Sequence, residues 1–467
     1  MRGFMSISSL AAILALAPSI LLAQQASVPV LDLPEPTVRT ADRLGAVLGL
    51  RQTADGKVLV NDALHRQMLL FDTLLANRIV ALDSVDGTST SYGPRAVPLI
   101  PFIGDSSLFV DLKSRTVVVL DGHGRIARTI ALPRPQDIVA LVGATSGFDT
   151  KGRLVFRGGR PTSGPPTRMP TPSSEASDSL VLLRADFDAR RVDTVGRIAR
   201  PAMKLTTQKS RGGAVYTVRA LDPLRPVDEW AVLANGSIAL VRGHDYHIDW
   251  IDADGTTRSS AKLPFEWKRL ADDEKRKLDD SLRTAQDSLL AKGYPGAETV
   301  MRSGGPCGSP DGGRGAPGIT DGGGRAGGRS GGGAGGPPPP ANASCLQVLS
   351  SIAPMVGSPA AYDAMPPLAD LYRAAPASDY AQPIRMNATV ADQDDNLWIL
   401  PRVSTLSRRG ELVYDVVNAK GELFERVRLP LGRAIAGFGK GGVVYLTSGD
   451  MPNGYHLERT HLPAAKR

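Results

Sequence analysis

Between Asp228 and Pro264, apolar runs and turn residues alternate four times. Trp230 to Leu233 is apolar, and Ala234-Asn235-Gly236 turns the chain. Ser237 to Val241 is a second apolar run, ended by Arg242-Gly243. In the third run, apolar Tyr246, Ile248, Trp250 and Ile251 largely alternate with polar residues, as a half-buried strand requires. Asp252-Ala253-Asp254-Gly255 turns the chain once more, its glycine suited to positive φ, and a polar strand from Thr256 to Leu263 closes the unit. The stretch predicts a four-stranded antiparallel meander, about the length of one propeller blade.

The same plan recurs along the chain. Gly45 to Thr53, Lys57 to Asn61, Gln67 to Thr73 and Arg78 to Leu82 predict the strands of a first blade. A second runs from about Ala96 to Pro133. A third opens at Ile138 and turns at Thr150-Lys151-Gly152 into Leu154 to Arg157. The Pro/Ser/Thr-rich loop Arg160 to Asp178 interrupts it before Leu180 to Phe187 and Arg191 to Ile198 complete it. The connection from Arg200 to Pro226 has room for another hairpin around Ala214 to Ala220. The stretch described first is blade four. Blade five resumes at Ile384, with Leu397 to Leu400, Leu412 to Val417 and Leu423 to Leu429. Blade six has Ala434 to Phe438, Val443 to Thr447 and Tyr455 to Leu462, one strand short. Part of Val28 to Thr40 is therefore expected to supply the missing outer strand, using Val30 to Leu33 or Thr37 to Thr40.

After Pro264 the period changes. Phe265 to Lys292 reads as helix, with Leu278, Leu282, Ala285 and Leu289 on one face. Glycine then dominates from Gly293 to Pro340, a composition that cannot bury enough surface to offset its ordering entropy. The expected division is a signal peptide (1–26), blades one to four with the closing strand (27–264), an insertion (265–380), and blades five and six (381–467). Cys307 and Cys345, the two cysteines of the chain, lie within that insertion. In an oxidising compartment a disulfide would tie the base of the loop together, and two free thiols are the alternative.

Composition adds the compartment and removes some classes. Arg2 followed by the apolar run Leu10 to Leu22 has the form of an export signal, with cleavage after Ala23 or Ala26. The run is short for a stable membrane span, and Gln24-Gln25 follow it at once. A periplasmic or secreted monomer is the expectation. The formal net charge is +8, but the arginines are scattered over strand ends and turns, without a basic run interleaved with aromatics. That reads as a solvated surface rather than a nucleic-acid interface.

Candidate chemistry is thin. His244 and His247 stand three apart, which in a strand puts them on opposite faces, so they do not converge on a metal. The acidic turns Asp252 to Gly255 and Asp392 to Asn396 resemble fragments of calcium loops. They lack the Gly and Glu that a helical loop needs at its sixth and twelfth positions, and hairpin turns explain them better. Ser259 and Lys262 have the spacing of a serine nucleophile and lysine base, but sit in a predicted outer strand rather than at a helix start. The glycines after Gly304 follow no strand and precede no Gly-Lys-Ser/Thr, so they are no phosphate cradle. No catalytic residue, metal or cofactor is assigned.

The phrases ADGKVLVND, LDGHGRI, ANGSIALV, DQDDNLWIL and NAKGELFERVRLP resemble the bacterial six-bladed β-propeller proteins related to the NHL-repeat group. The resemblance covers most of the chain outside the two low-complexity segments. It implies an all-β, six-bladed β-propeller of four-stranded antiparallel blades, with a helical and Gly/Pro-rich insertion between blades four and five. Its motifs are turn-and-strand signatures, which carry a fold and not an active site. The group includes binding modules, lactonases and lyases. The expected function is therefore an exported binding or interaction scaffold for a protein or small-molecule ligand. The alternative is a hydrolase or lyase working at the central channel.

Overall fold

One local device recurs around the molecule. At tight turns between strands, an Asp or Asn side chain accepts the backbone N–H groups two and four residues ahead, closing the hairpin. Asp121 accepts from His123 and Arg125 at 2.8 and 2.9 Å, and Asp149 from Lys151 and Arg153 at 3.0 Å each. Asp392 and Asn418 repeat the pattern. The residue three after the capping residue must be left-handed, which glycine permits at Gly124 (φ +77°), while blade five places Asp395 there (φ +62°).

The computed structural model describes residues 28–84, 92, 97–111, 114–141, 146–158, 179–199, 204–209, 215–220, 226–274, 380–402, 406–407, 411–450 and 453–463. Their strands form a six-bladed propeller of mostly four-stranded antiparallel sheets. Blade one comprises Val47–Gln52, Val58–Asp62, Gln67–Phe71 and Arg78–Leu82; blade two Leu99–Pro101, Ser107–Asp111, Thr116–Leu120 and Ile126–Ala131. Blade three comprises Ser146–Phe148, Leu154–Arg157, Ser179–Asp186 and Arg191–Ala199; blade four Glu229–Val232, Ile238–Arg242, His247–Ile251 and Thr257–Ser259. Blade five comprises Ile384–Ala391, Leu397–Pro401, Val413–Val417 and Leu423–Arg428; blade six Arg433–Phe438, Val443–Asp450 and Gly454–His461.

The core lies between blades. One apolar cluster joins blades one, two and three, and another joins four, five and six around Trp250, Trp398 and Tyr414. Smaller clusters seal the seam from blade six to one and the seam from three to four. Innermost strands approach closely where a side chain is missing. A Cβ on Gly147 would stand 2.9 Å from Val232, and one on Gly437 would stand 3.0 Å from Leu50.

The N-terminal segment closes the ring with two short strands rather than one. Val38–Arg39 pairs antiparallel with Gly454–His461 and completes blade six. Val30–Asp32 runs parallel to Leu423–Arg428 and gives blade five a fifth strand. Pro34 and Pro36 fall between the two strands, where no ladder is needed. Leu33 and Thr40, both buried, fasten the segment through Leu33 N to Arg428 O (2.9 Å) and Thr40 N to Leu457 O (2.8 Å).

Two expectations need correcting. Ile138 does not open blade three, because Pro135–Leu141 is a 3₁₀ helix that buries Ile138 and Leu141. Arg134 and Asp137 clasp its start at 2.7 Å, and the first strand begins only at Ser146. Phe265 to Ala271 is not helical either; helical residues begin at Asp272, after Phe265 has packed edge-on against Tyr246. The expected hairpin after blade three is present, pairing Lys204–Lys209 with Val215–Ala220. The signal segment, the loop Arg160 to Asp178, the rest of the predicted helix, the Gly/Pro stretch and both cysteines lie outside the described residues. Among the described residues, no helix is long and apolar enough to cross a membrane.

Candidate functional site on the loop-bearing face

In an up-and-down blade, the turns joining strands one to two and three to four lie at one end. Those joining two to three, and one blade to the next, lie at the other. At the first end no connection is longer than residues 72–77. At the second end leave residues 83–98, 132–145, 158–178, 200–228, 260–383 and 402–412. The ring therefore has a turn face and a loop-bearing face.

The turn face is stitched from blade to blade. Both oxygens of Asp105 in blade two accept Ala54 N of blade one at 3.0 Å. Asp395 accepts Asn235 N at 2.6 Å, linking blades four and five. Asp394 accepts Gly442 N at 3.1 Å, and Gln52 accepts Lys440 N at 3.0 Å, linking blade five to six and six to one. This engages the carboxylates of the calcium-like stretch. Asp392 is buried, caps its own turn, and accepts the buried Trp398 indole N–H at 2.9 Å. Asp252 accepts Ser237 Oγ at 3.2 Å and pairs with Arg258, which also lies over the Trp250 ring at 4.7 Å. These acidic residues build turns and seams.

On the loop-bearing face, blade four carries a connected polar network. Asp228, buried at the start of the inner strand, accepts Gly243 N at 3.1 Å and Ala199 N at 2.9 Å. Arg242 bridges it to Asp249, at 2.7 Å to each. Asp249 Oδ1 also accepts Ser259 Oγ at 2.5 Å and lies 3.2 Å from His247 Nε2. The other ring nitrogen, Nδ1, is 2.6 Å from Asp245, and Lys262 stands 3.5 Å from the same carboxylate. Burial pushes the Asp249 carboxyl up. Hydrogen bonds from Ser259 and Arg242, with the positive charge around it, outweigh that and hold it below the ordinary carboxylate range. Asp245 is likewise held down by His247 and Lys262 against the effect of burial.

The network settles what the individual motifs can do. Ser259 and Lys262 each contact a carboxylate, Asp249 and Asp245 respectively, and they do not form the nucleophile and base that their spacing suggested. Serine donates to Asp249 and not to the imidazole, so the group is no serine–histidine relay either. His244 is exposed and His247 is held between two aspartates. Among the described residues, no three His, Cys, Asp or Glu side chains are placed to hold a metal.

Beneath the network, Tyr246 crosses a blade seam. Its hydroxyl donates to Asp415 of blade five at 2.7 Å, and Asp415 also accepts Arg426 Nε at 2.8 Å. Burial pushes the Asp415 carboxyl up despite these partners. The ring of Tyr246 packs on Phe265 and that on Trp267, at the neck where Arg269 bridges Tyr380. Both ends of the insertion are thus pinned at one point. Sequence reasoning missed the roles of Asp228, Arg242 and Asp415. The signal was a charge within or bounding an apolar strand (IALVR, VYDVV), which on a buried element implies a partner.

No family model matches the sequence, and no curated protein matches it. Solved structures do. The chain is similar to a member of the DUF4221 family from Bacteroides vulgatus, at 10% identity over 91% of this chain and 96% of that one, with a TM-score of 0.38. It is also similar to virginiamycin B lyase from Staphylococcus aureus, at 12% identity over 49% of this chain and 73% of that one (TM-score 0.26). A calcium-binding protein, regucalcin, from Agrobacterium tumefaciens matches at 14% identity over 50% and 80% (TM-score 0.23). At these identities and scores no activity passes from them to this chain.

Proposed function

We propose that the protein is an exported binding scaffold, related to the NHL-repeat group of propellers, whose contact surface is the loop-bearing face. The observation that supports this is the asymmetry of the ring. All the longer connections leave from one face, and the other is closed by short turns whose side chains hold neighbouring blades. Binding residues gather on loops carried by a rigid frame. The competing reading, a hydrolase or lyase at the central channel, needs converging His, Asp or Glu side chains there. The described innermost strands contribute one carboxylate, Glu229, and no histidine.

Cross-linking mass spectrometry in the native extracytoplasmic fraction tests the reading. Cross-links to partners should concentrate on the loop-bearing face. They should persist when the exposed turn residues Asp254, Lys420 and Lys440 are charge-reversed. Cross-links centred on the turn face would overturn the proposal. So would turnover of a lactone panel that is lost on blocking the channel.

A further inference from the structure

One β-hairpin stands outside the six blades. Lys204–Lys209 pairs with Val215–Ala220 through six residue pairs, and among the described residues this two-stranded sheet has no third strand on either edge. Its root is fixed. Asp228 N donates to Ala199 O, and Asp228 Oδ2 accepts Ala199 N, each at 2.9 Å. Arg242 ties the same Asp228 to Arg197 O, at 2.7 and 2.8 Å. The arm thus leaves the loop-bearing face from the blade-four network.

A two-stranded ribbon alone is marginal in water, and each open edge presents N–H and C=O groups that template another strand. The strands KLTTQK and VYTVRA contain no Pro or Gly, and are rich in residues that extended pairing favours. The arm also concentrates charge. Between positions 200 and 226 the sequence has six basic residues, Arg200, Lys204, Lys209, Arg211, Arg219 and Arg225, and one acidic residue, Asp222, a net of +5 in a chain of net +8.

We propose that this arm is a docking strand for an acidic, extended segment of a partner polypeptide, which adds to an open edge as a third strand. The inference rests on the loop-bearing face being the binding face. The chain itself supplies a precedent on blade five. There an extended segment adds to the outer strand and sets Asp32 against Arg428 at 2.6 Å, and farther along the same segment Glu35 meets Arg433 of blade six at 3.2 Å. A second copy of the chain is a poor occupant, because its arm carries the same positive excess.

The test uses the full chain and short labelled peptides in fluorescence anisotropy. One peptide alternates Thr and Glu, a second alternates Thr and Lys, and a third is the Thr-Glu peptide N-methylated at alternate residues. The Thr-Glu peptide should bind about ten-fold tighter than Thr-Lys. N-methylation should abolish that binding at unchanged charge, and K204E/K209E/R219E should invert the preference. Equal binding of the N-methylated peptide would overturn strand addition. Loss of the Thr-Glu preference would overturn the choice of partner. Displacement of the peptide by phosphatidylglycerol vesicles would overturn it too, and would assign the arm to an anionic membrane surface. A chain with residues 201–226 replaced by a short Gly/Ser linker separates the two proposals. If it keeps its loop-face cross-links, the arm inference fails and the binding-face reading stands.

Discussion

Thr40 is where the ring closure can be tested by one atom. It is fully buried, its N–H donates to Leu457 O at 2.8 Å, and its Oγ1 accepts Leu457 N at 3.2 Å. The N–H and C=O of a strand residue point to the same side, so both Leu457 groups face the N-terminal segment and Thr40 serves both. Thr40→Val keeps the shape and the backbone bond but removes the acceptor, leaving the Leu457 N–H buried and unpaired. That costs about 1–3 kcal/mol, offset by under about 1 kcal/mol from the added apolar group. For a ring of this size the net loss, about 0.5–2.5 kcal/mol, should lower the melting temperature by about 1–4 °C. Thr40→Ser keeps the acceptor and should lose less. Calorimetry reads the shift. Hydrogen exchange at Leu457 should accelerate in the Val variant and not in the Ser variant. Removing residues 28–40 should deprotect both 423–428 and 454–461. If Thr40→Val melts with the parent and the truncated ring stays monomeric with its melting temperature intact, the segment does not close the ring.

Four further outcomes follow from the geometry. Asp392→Ala should destabilise by about 3 kcal/mol, because it leaves the Trp398 indole N–H unpaired, while calcium should leave the parent's melting temperature unchanged; a rise of several degrees with calcium would refute the turn assignment. Gly236→Ala should cost more than Gly104→Ala in denaturant melts. Both are left-handed (φ +83° and +59°), but a Cβ at 236 meets Thr150 N at 2.8 Å, whereas at 104 nothing lies within 4 Å. The Asp249 carboxyl is depressed in the folded state, so its pH-dependent stabilisation is present above the ordinary carboxylate value, about pH 4, and is lost as pH falls further. The stability gap between the parent and Asp249→Asn should therefore shrink on acidification, and a gap that widens would refute the assignment. Deleting residues 304–340 should leave the melting temperature of the reduced protein within a few degrees, since the bridge from Arg269 to Tyr380 already holds the ends of the insertion; a collapse would show that the segment packs on the ring.

The blades were legible from the sequence because their information is local. Turns such as Leu233 to Ser237 and Asp252 to Thr256 have their own capping residue and a residue suited to positive φ. Strands such as VLVND and IALVR differ from their surroundings in apolar content. Where the information was not local, the reading failed or stopped. Ile138 sits in an apolar run that looks like a strand, yet it lies in a 3₁₀ turn that buries Ile138 and Leu141 and is clasped at its start by Arg134 and Asp137. Either half of the N-terminal segment could have closed blade six. The ring decided that both are used, on different blades, because Leu33 and Thr40 each find a buried place. The polar network depends on Asp228, Arg242 and Asp249 being brought together from separate strands, and Asp415 finds Tyr246 across a blade seam. Period and turn chemistry in the sequence determined the blades and their order. Which charges meet was decided by the pairing of strands within a blade and the packing of one blade on the next, since those steps bring side chains from separate strands within hydrogen-bonding distance.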